Sequence, residues 1–163
     1  MGSIEKSIVV DRPVSTVYNQ WTQFEEFPRF MEGVESVRQL DDKRLHWRAN
    51  IAGNTEEWDA EIVEQKPDQV IAWRSTSGSL NAGRVTFQPE GAGKTRVTLR
   101  MDYEPEGAVE ATGDALGFVT RRVEGDLDRF EKFIEERGSE TGAWRGEISA
   151  GRVEEKEEER LGR

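Results

Sequence analysis

Few side chains in this 163-residue chain have the chemistry to do more than pack or solvate. There is no cysteine, which excludes thiolate nucleophiles, disulfides and Cys-ligated zinc or iron–sulfur centres. His46 is the only histidine, so a Ser-His-Asp arrangement has one possible base and a metal site would rest on carboxylates. Three tryptophans, Trp47, Trp58 and Trp73, share the inward parity of three successive extended segments. They either line an aromatic pocket or fill the space behind a sheet, and each brings an N–H that needs a partner. Phe87, Met101 and Tyr103 have the same parity, and the Tyr103 hydroxyl could orient a ligand. Glu56 is two residues from Trp58. If the strand runs that far, its carboxylate reaches the mouth of an interior, where burial would raise its pKa and suit it to acid or base work. Beside a turn, it can equally bend out to water. Ser75 is inward by parity and offers a polar contact without an activating base nearby in sequence. His46, adjacent to Trp47, should face solvent; turning it inward requires a one-residue slip that exposes Leu45, Trp47 and Ala49. None of these patterns calls for a cofactor or a metal.

The elements that must position these side chains follow from the hydrophobic period. Ile4 to Val10 reads as a strand, with Ile4, Lys6 and Ile8 on one side. Asp11 offers an N-cap and Pro13 a first turn for a short amphipathic helix carrying Val14, Val17, Tyr18 and Trp21. Phe24, Phe27 and Phe30, three apart, suit a second short helix that Pro28 keeps from growing. From Val34 the period becomes two. Segments 34–40, 44–51, 55–64, 70–75, 84–88 and 95–103 predict six strands, and the short connections between them predict antiparallel hairpins. One face of each is apolar and the other charged, as expected for a sheet covered once.

That cover is predicted over Val109 to Ile134, where Val109, Leu116, Val119, Val123, Leu127, Phe130 and Ile134 form one helical stripe. The other face carries Arg121, Arg122, Asp126, Asp128, Arg129, Glu131 and Lys132 and is expected in water. Gly113 and Gly117 fall in the first half, where close packing on the sheet competes with space for a ligand beside Leu116 and Val119. After residue 137 only Trp144, Ile148, Val153 and Leu161 are large and apolar, so 138–163 is expected to be a charged, flexible tail with partial helix, from which Trp144 can dock back on the body, separate from a domain spanning 1–137.

Composition narrows the partners. Charged residues make up 34% of the chain, the net charge is −10 and the pI is near 4.8, which opposes polyphosphate binding and makes nucleic acid an unexpected partner. No run is long and apolar enough to span a membrane, and the start lacks the basic-then-apolar pattern of a signal peptide, so the expectation is a cytoplasmic protein. The tail's Glu run lacks the spaced oxygen ligands and turn glycine of a calcium loop.

The order strand, two short helices, six strands and closing helix, with Pro13-x-x-x-Val17 and Phe24-Glu25-x-Phe27-Pro28-x-Phe30-Met31-x-Gly33-Val34-x-x-Val37, resembles the START-like, helix-grip superfamily. Within it, the polyketide cyclase/dehydrase and coenzyme Q-binding branch is the nearest in pattern. Trp58-Asp59-Ala60-Glu61-Ile62, Trp73-Arg74-Ser75 and Val123-Glu124-x-Asp126-Leu127-x-x-Phe130 are similar too. The resemblance covers about residues 3–137. It implies an α+β helix-grip fold, a curved antiparallel sheet of about seven strands wrapped around the long helix, with a cavity between them for a hydrophobic small molecule such as a lipid, quinone or polyketide-like compound. A cyclase or dehydratase activity is the alternative it implies. A partner-binding role for the acidic tail is a third reading, taken from the residues alone.

Overall fold

In a computed structural model of the chain, residues 2–51, 53–77, 81–103, 113–149 and 152–154 are described. The elements are β1 (Gly2–Val10), α1 (Val14–Trp21), a short 3-10 helix (Phe24–Arg29), then β2 (Val34–Gln39), β3 (Arg44–Ile51), β4 (Asn54–Lys66), β5 (Val70–Ser75), β6 (Asn81–Pro89) and β7 (Thr95–Tyr103). A long helix, α2 (Gly113–Arg137), follows, and the described chain ends with β8 (Glu147–Ser149) and β9 (Arg152–Glu154). Strands β2 to β7 neighbour one another in chain order, and β1 joins beside β7, giving β1-β7-β6-β5-β4-β3-β2 with every pair antiparallel. The sheet is curved and unclosed, and α2 lies in its concave face: the helix-grip arrangement.

Alternation sorted the faces correctly because one side of the sheet is covered and the other is wet. Leu45, Ala49, Ala60, Ile62, Ile71, Val85, Phe87, Val97 and Leu99 are all buried on the helix side. A bulge between Ile62 and Glu64 shifts the parity of β4, so Gln65, rather than its neighbours, turns inward opposite Ile71. The start of α1 is a correction. Asp11 is not its N-cap; Pro13, in an extended conformation, holds that position without a side-chain cap, and the Asp11 N–H instead donates to Glu135 Oε2 at 2.8 Å.

Two contacts orient α2. Lys6 pairs with Glu124 at 3.2 Å, and Asp11 meets Glu135 at the far end of β1. Eleven helical residues and five strand residues each span about 16 Å, so α2 runs parallel to β1 and closely along it. Val123, Leu127, Phe130 and Ile134 form the buried stripe, with Phe130 set against Phe30 and Trp21, each at a ring-centroid distance of 5.1 Å. The helix continues past Ile134 to Arg137; Val109 and its neighbours to residue 112 lie outside the described residues.

The stretch after Gly138 departs from its expected solvated, partly helical state. β8 pairs Ile148 with Gln65 of β4, on the side that β3 vacates beyond Ile62, and Ile148 is completely buried. The amphipathic reading of α1 left Asn19 and Gln20 without a role. Both are buried and hold this segment: Gln20 and Thr141 exchange hydrogen bonds at 3.0 and 2.9 Å, and Asn19 accepts from Arg145 Nη1 at 2.6 Å. The Trp144 N–H donates to Thr22 Oγ1 at 3.0 Å. Ile148, the partly buried Trp144 packed against the core, and a set of polar side chains thus dock a segment too polar to build its own core.

Candidate functional site

The inner face of the sheet can be followed in cross-strand rows. Gln65, Ile71, Val85, Leu99 and Lys6 form one row, and next to it run Ile62, Trp73, Gly83, Met101 and Ile4. Further toward the same end come Leu45, Ala60 and Ser75, and then Val37, Trp47 and Trp58. Ala49 and Glu56 are paired last. In the first row Ile71 and Val85 are at most 1% exposed. Beyond it Trp73, Met101, Trp47, Trp58 and Glu56 are only half-buried, while Ser75 and Ala49 remain buried between them. Extending α2 backward from Glu124 over Lys6 carries its first turns, residues 113–120, toward this end of the sheet.

Five of the expected site residues therefore gather at one end with Glu56 at its rim: Trp47, Trp58, Trp73, Met101 and Ser75. The Trp47 and Trp58 rings stack with centroids 5.8 Å apart and planes 6° from parallel, and Phe27 leans on Trp47 at 5.7 Å with its ring tilted by 47°. Trp47 Nε1 is buried and has no hydrogen-bond partner. The Trp73 ring lies over Gly83: a Cβ at residue 83 would fall 2.6 Å from Cε2 and 2.7 Å from Cη2, and closer still to Cζ2. Phe87 is not part of this group. It lies at the opposite end of the face, fully within the core, in edge contact with Tyr18 at 5.3 Å. Tyr103 ends β7 opposite Gly2 and Asn81, and its side chain, like those of Leu116 and Val119, lies outside the described residues.

His46 faces outward, as its parity required. Its Nδ1 meets Asp59 Oδ1 at 2.7 Å and its Nε2 meets Glu57 Oε1 at 2.9 Å, and these bonds, Asp59 first, raise its pKa. Among the described residues no three His, Asp or Glu side chains are grouped so as to hold a metal ion.

Two polar constellations were not anticipated. At the closed end, the fully buried Tyr18 hydroxyl accepts from Gln65 Nε2 at 3.1 Å beneath the Arg145 guanidinium, and burial pushes its pKa up to about 12. On α2, Arg122, Asp126 and Arg129 do not simply face water, as their charges suggested. Asp126 Oδ1 accepts the Glu32 N–H at 3.0 Å, Arg129 Nε donates to the Phe30 carbonyl at 3.0 Å, and Arg122 Nη1 donates to the Glu32 carbonyl at 2.6 Å. Three side chains at helical spacing thus grip the main chain between the 3-10 helix and β2. Gly33, with φ +89°, leaves the room this requires, since a Cβ there would collide with Arg122. The spacing i, i+4, i+7 was the available signal. Burial pushes the Asp126 carboxyl up to about 6, against the opposing effect of its bond from Arg129.

Comparison with known proteins adds three kinds of likeness. Residues 10–131 match the family described as polyketide cyclase / dehydrase and lipid transport. An uncharacterized 17.2 kDa protein of Streptomyces lincolnensis is 52% identical over 149 residues, 91% of this chain and 99% of that one. Among solved structures, a Deinococcus radiodurans protein is 29% identical with a TM-score of 0.66, covering 84% of this chain and 99% of its own. The Zhui aromatase/cyclase of Streptomyces sp. R1128 has a TM-score of 0.75 at 18% identity, over 88% of this chain and 99% of that one. A START superfamily protein of Mycobacterium smegmatis reaches 0.72 at 15% identity, over 83% and 98%. The last two share the fold.

Proposed function

We propose, from the premise that the chain belongs to the polyketide cyclase/dehydrase and lipid transport family, that it binds a hydrophobic small molecule between the open end of the sheet and the first turns of α2. The observation that carries this reading is the change in burial along the inner face. Ile71 and Val85 are closed off from water, whereas Trp73, Met101, Trp47 and Trp58 toward the other end are half-buried among the buried Ile4, Ile62, Leu45 and Val37, although the face itself stays apolar. Trp47, Trp58 and Trp73 supply flat apolar area, and Ser75 and Glu56 supply polar contacts that fix orientation. Binding or carrying such a molecule needs nothing more of the chain.

A cyclase reading has the family and the shared fold in its favour. On the described inner face at this end, Glu56 is the one carboxylate available to move a proton, and it is half-buried at the rim. The carrier reading needs no such group and is therefore preferred.

The test is a titration with N-phenyl-1-naphthylamine, whose fluorescence rises in apolar surroundings. Saturable binding is expected, and Trp58→Ala, which removes half of the stacked pair, should weaken it roughly three- to tenfold. Fluorescence that climbs linearly without saturating, in wild type and variant alike, would refute the reading.

A further inference from the structure

We propose that Gly83 sets the depth of the binding chamber by letting the Trp73 ring lie down on β6; the inference rests on the small-molecule reading above. Trp73 and Gly83 are directly paired across β5 and β6, and both are on the inner face. A side chain at the directly paired position would take up the space beside the Trp73 Cβ into which the ring otherwise folds. Here the ring fills the volume that the side chain at 83 would take, with three ring atoms inside contact distance of an ideal Cβ. Glycine weakens a strand, and one inside β6 marks a place where something approaches its backbone closely. In this protein the Trp73 indole is what approaches.

The consequence concerns the space above. In the row containing Trp73 and Gly83 these two and Met101 are half-buried, with the buried Ile62 and Ile4 closing its two ends. A reclining indole makes a flat floor for the chamber, and one raised by a methyl group would stand in it. The obstructing atoms belong to a side chain rather than to main chain, so a substitution at 83 is relieved by rotating Trp73 upward, away from the sheet. Gly83 thereby selects for ligands that reach down to the indole, and the size limit is set by residue 83 acting through Trp73. Gly83 is a specificity determinant that need not touch the ligand.

The experiment compares two probes, N-phenyl-1-naphthylamine and the smaller 1-naphthol, the second by displacement of the first. Gly83→Ala should weaken the larger probe about tenfold or more and change the smaller by less than about threefold. Adding Trp73→Leu to Gly83→Ala should recover most of the loss, since the group that was raised is gone. Equal losses for both probes, or no recovery in the double variant, would overturn the inference while leaving the small-molecule reading intact. Absence of saturable binding in the wild type would overturn both. If Gly83→Ala does not fold, Trp73→Leu alone decides: it should raise the ratio of larger- to smaller-probe affinity by about threefold or more, and an unchanged ratio sinks the proposal.

Discussion

Asp126 is the residue whose environment has the clearest energetic reading. Its carboxyl is buried between Arg129 and the Glu32 N–H, and burial outweighs both, raising the pKa from the ordinary 3.8 to about 6. The folded state then holds this proton more tightly than the unfolded chain does. The contribution is complete below about pH 4 and lost as pH rises through 6, so this group makes the fold less stable toward neutrality. Asp126→Asn, which is neutral throughout, should match the wild type near pH 4 and exceed it by up to about 3 kcal/mol at pH 7. Denaturant unfolding at several pH values checks this, and a constant difference across that range would contradict it. Neither the burial nor the grip on residues 30–33 was legible from charge alone. A helix face rich in Arg and Asp reads as solvated unless the loop it holds is known, and that loop comes about ninety positions earlier in the chain.

At the scale of elements, the two-residue period recovered β2 to β7 because a sheet covered on one side imposes opposite environments on neighbouring residues. The same rule located Trp47, Trp58, Trp73 and Met101 on one face. It could not say that Phe87 lies at the closed end while Met101 lies at the open end, since parity fixes a face but not a distance along it. The β4 bulge was hidden for a related reason, because one inserted residue reverses parity without altering composition. The 138–149 segment was misjudged because its docking depends on polar side chains of α1 that an amphipathic pattern assigns to water. Ile148 is its fully buried apolar anchor, with Trp144 packed beside the core as well. Ile148→Ala should cost about 2–4 kcal/mol in equilibrium unfolding, where a free tail would give no change. Its effect on probe binding should be small, because Gln65 and Ile148 lie at the end of the sheet away from Trp58.

For the whole molecule, the division of the interior is the functional result. One half of the sheet–helix space is packed with Phe30, Phe130, Trp21 and Ile134, and the other half presents half-covered tryptophans. The packed half keeps the fold closed without requiring the open half to be filled. No helix among the described residues is long and apolar enough to cross a membrane. A ligand that binds only the folded chain should therefore appear as added stability: N-phenyl-1-naphthylamine at about a hundred times its dissociation constant should contribute about 2.7 kcal/mol, seen as a rise in Tm. Trp58→Ala should reduce that rise at the same probe concentration, and a Tm indifferent to the probe would speak against binding to the native state.

The pairing of β8 with β4 bears on how the chain is made. Beyond Ile62, β4 has β5 on one side and only the chain's own late segment on the other. While the protein is being synthesised, that part of β4 is complete long before residue 148 leaves the ribosome. An unpaired edge beside buried apolar residues is a template for another chain, and it stays open for the whole of that interval. The terminal segment thus acts as the last stitch of the sheet, and chains that lose it should aggregate during synthesis before any loss of ligand binding can be measured.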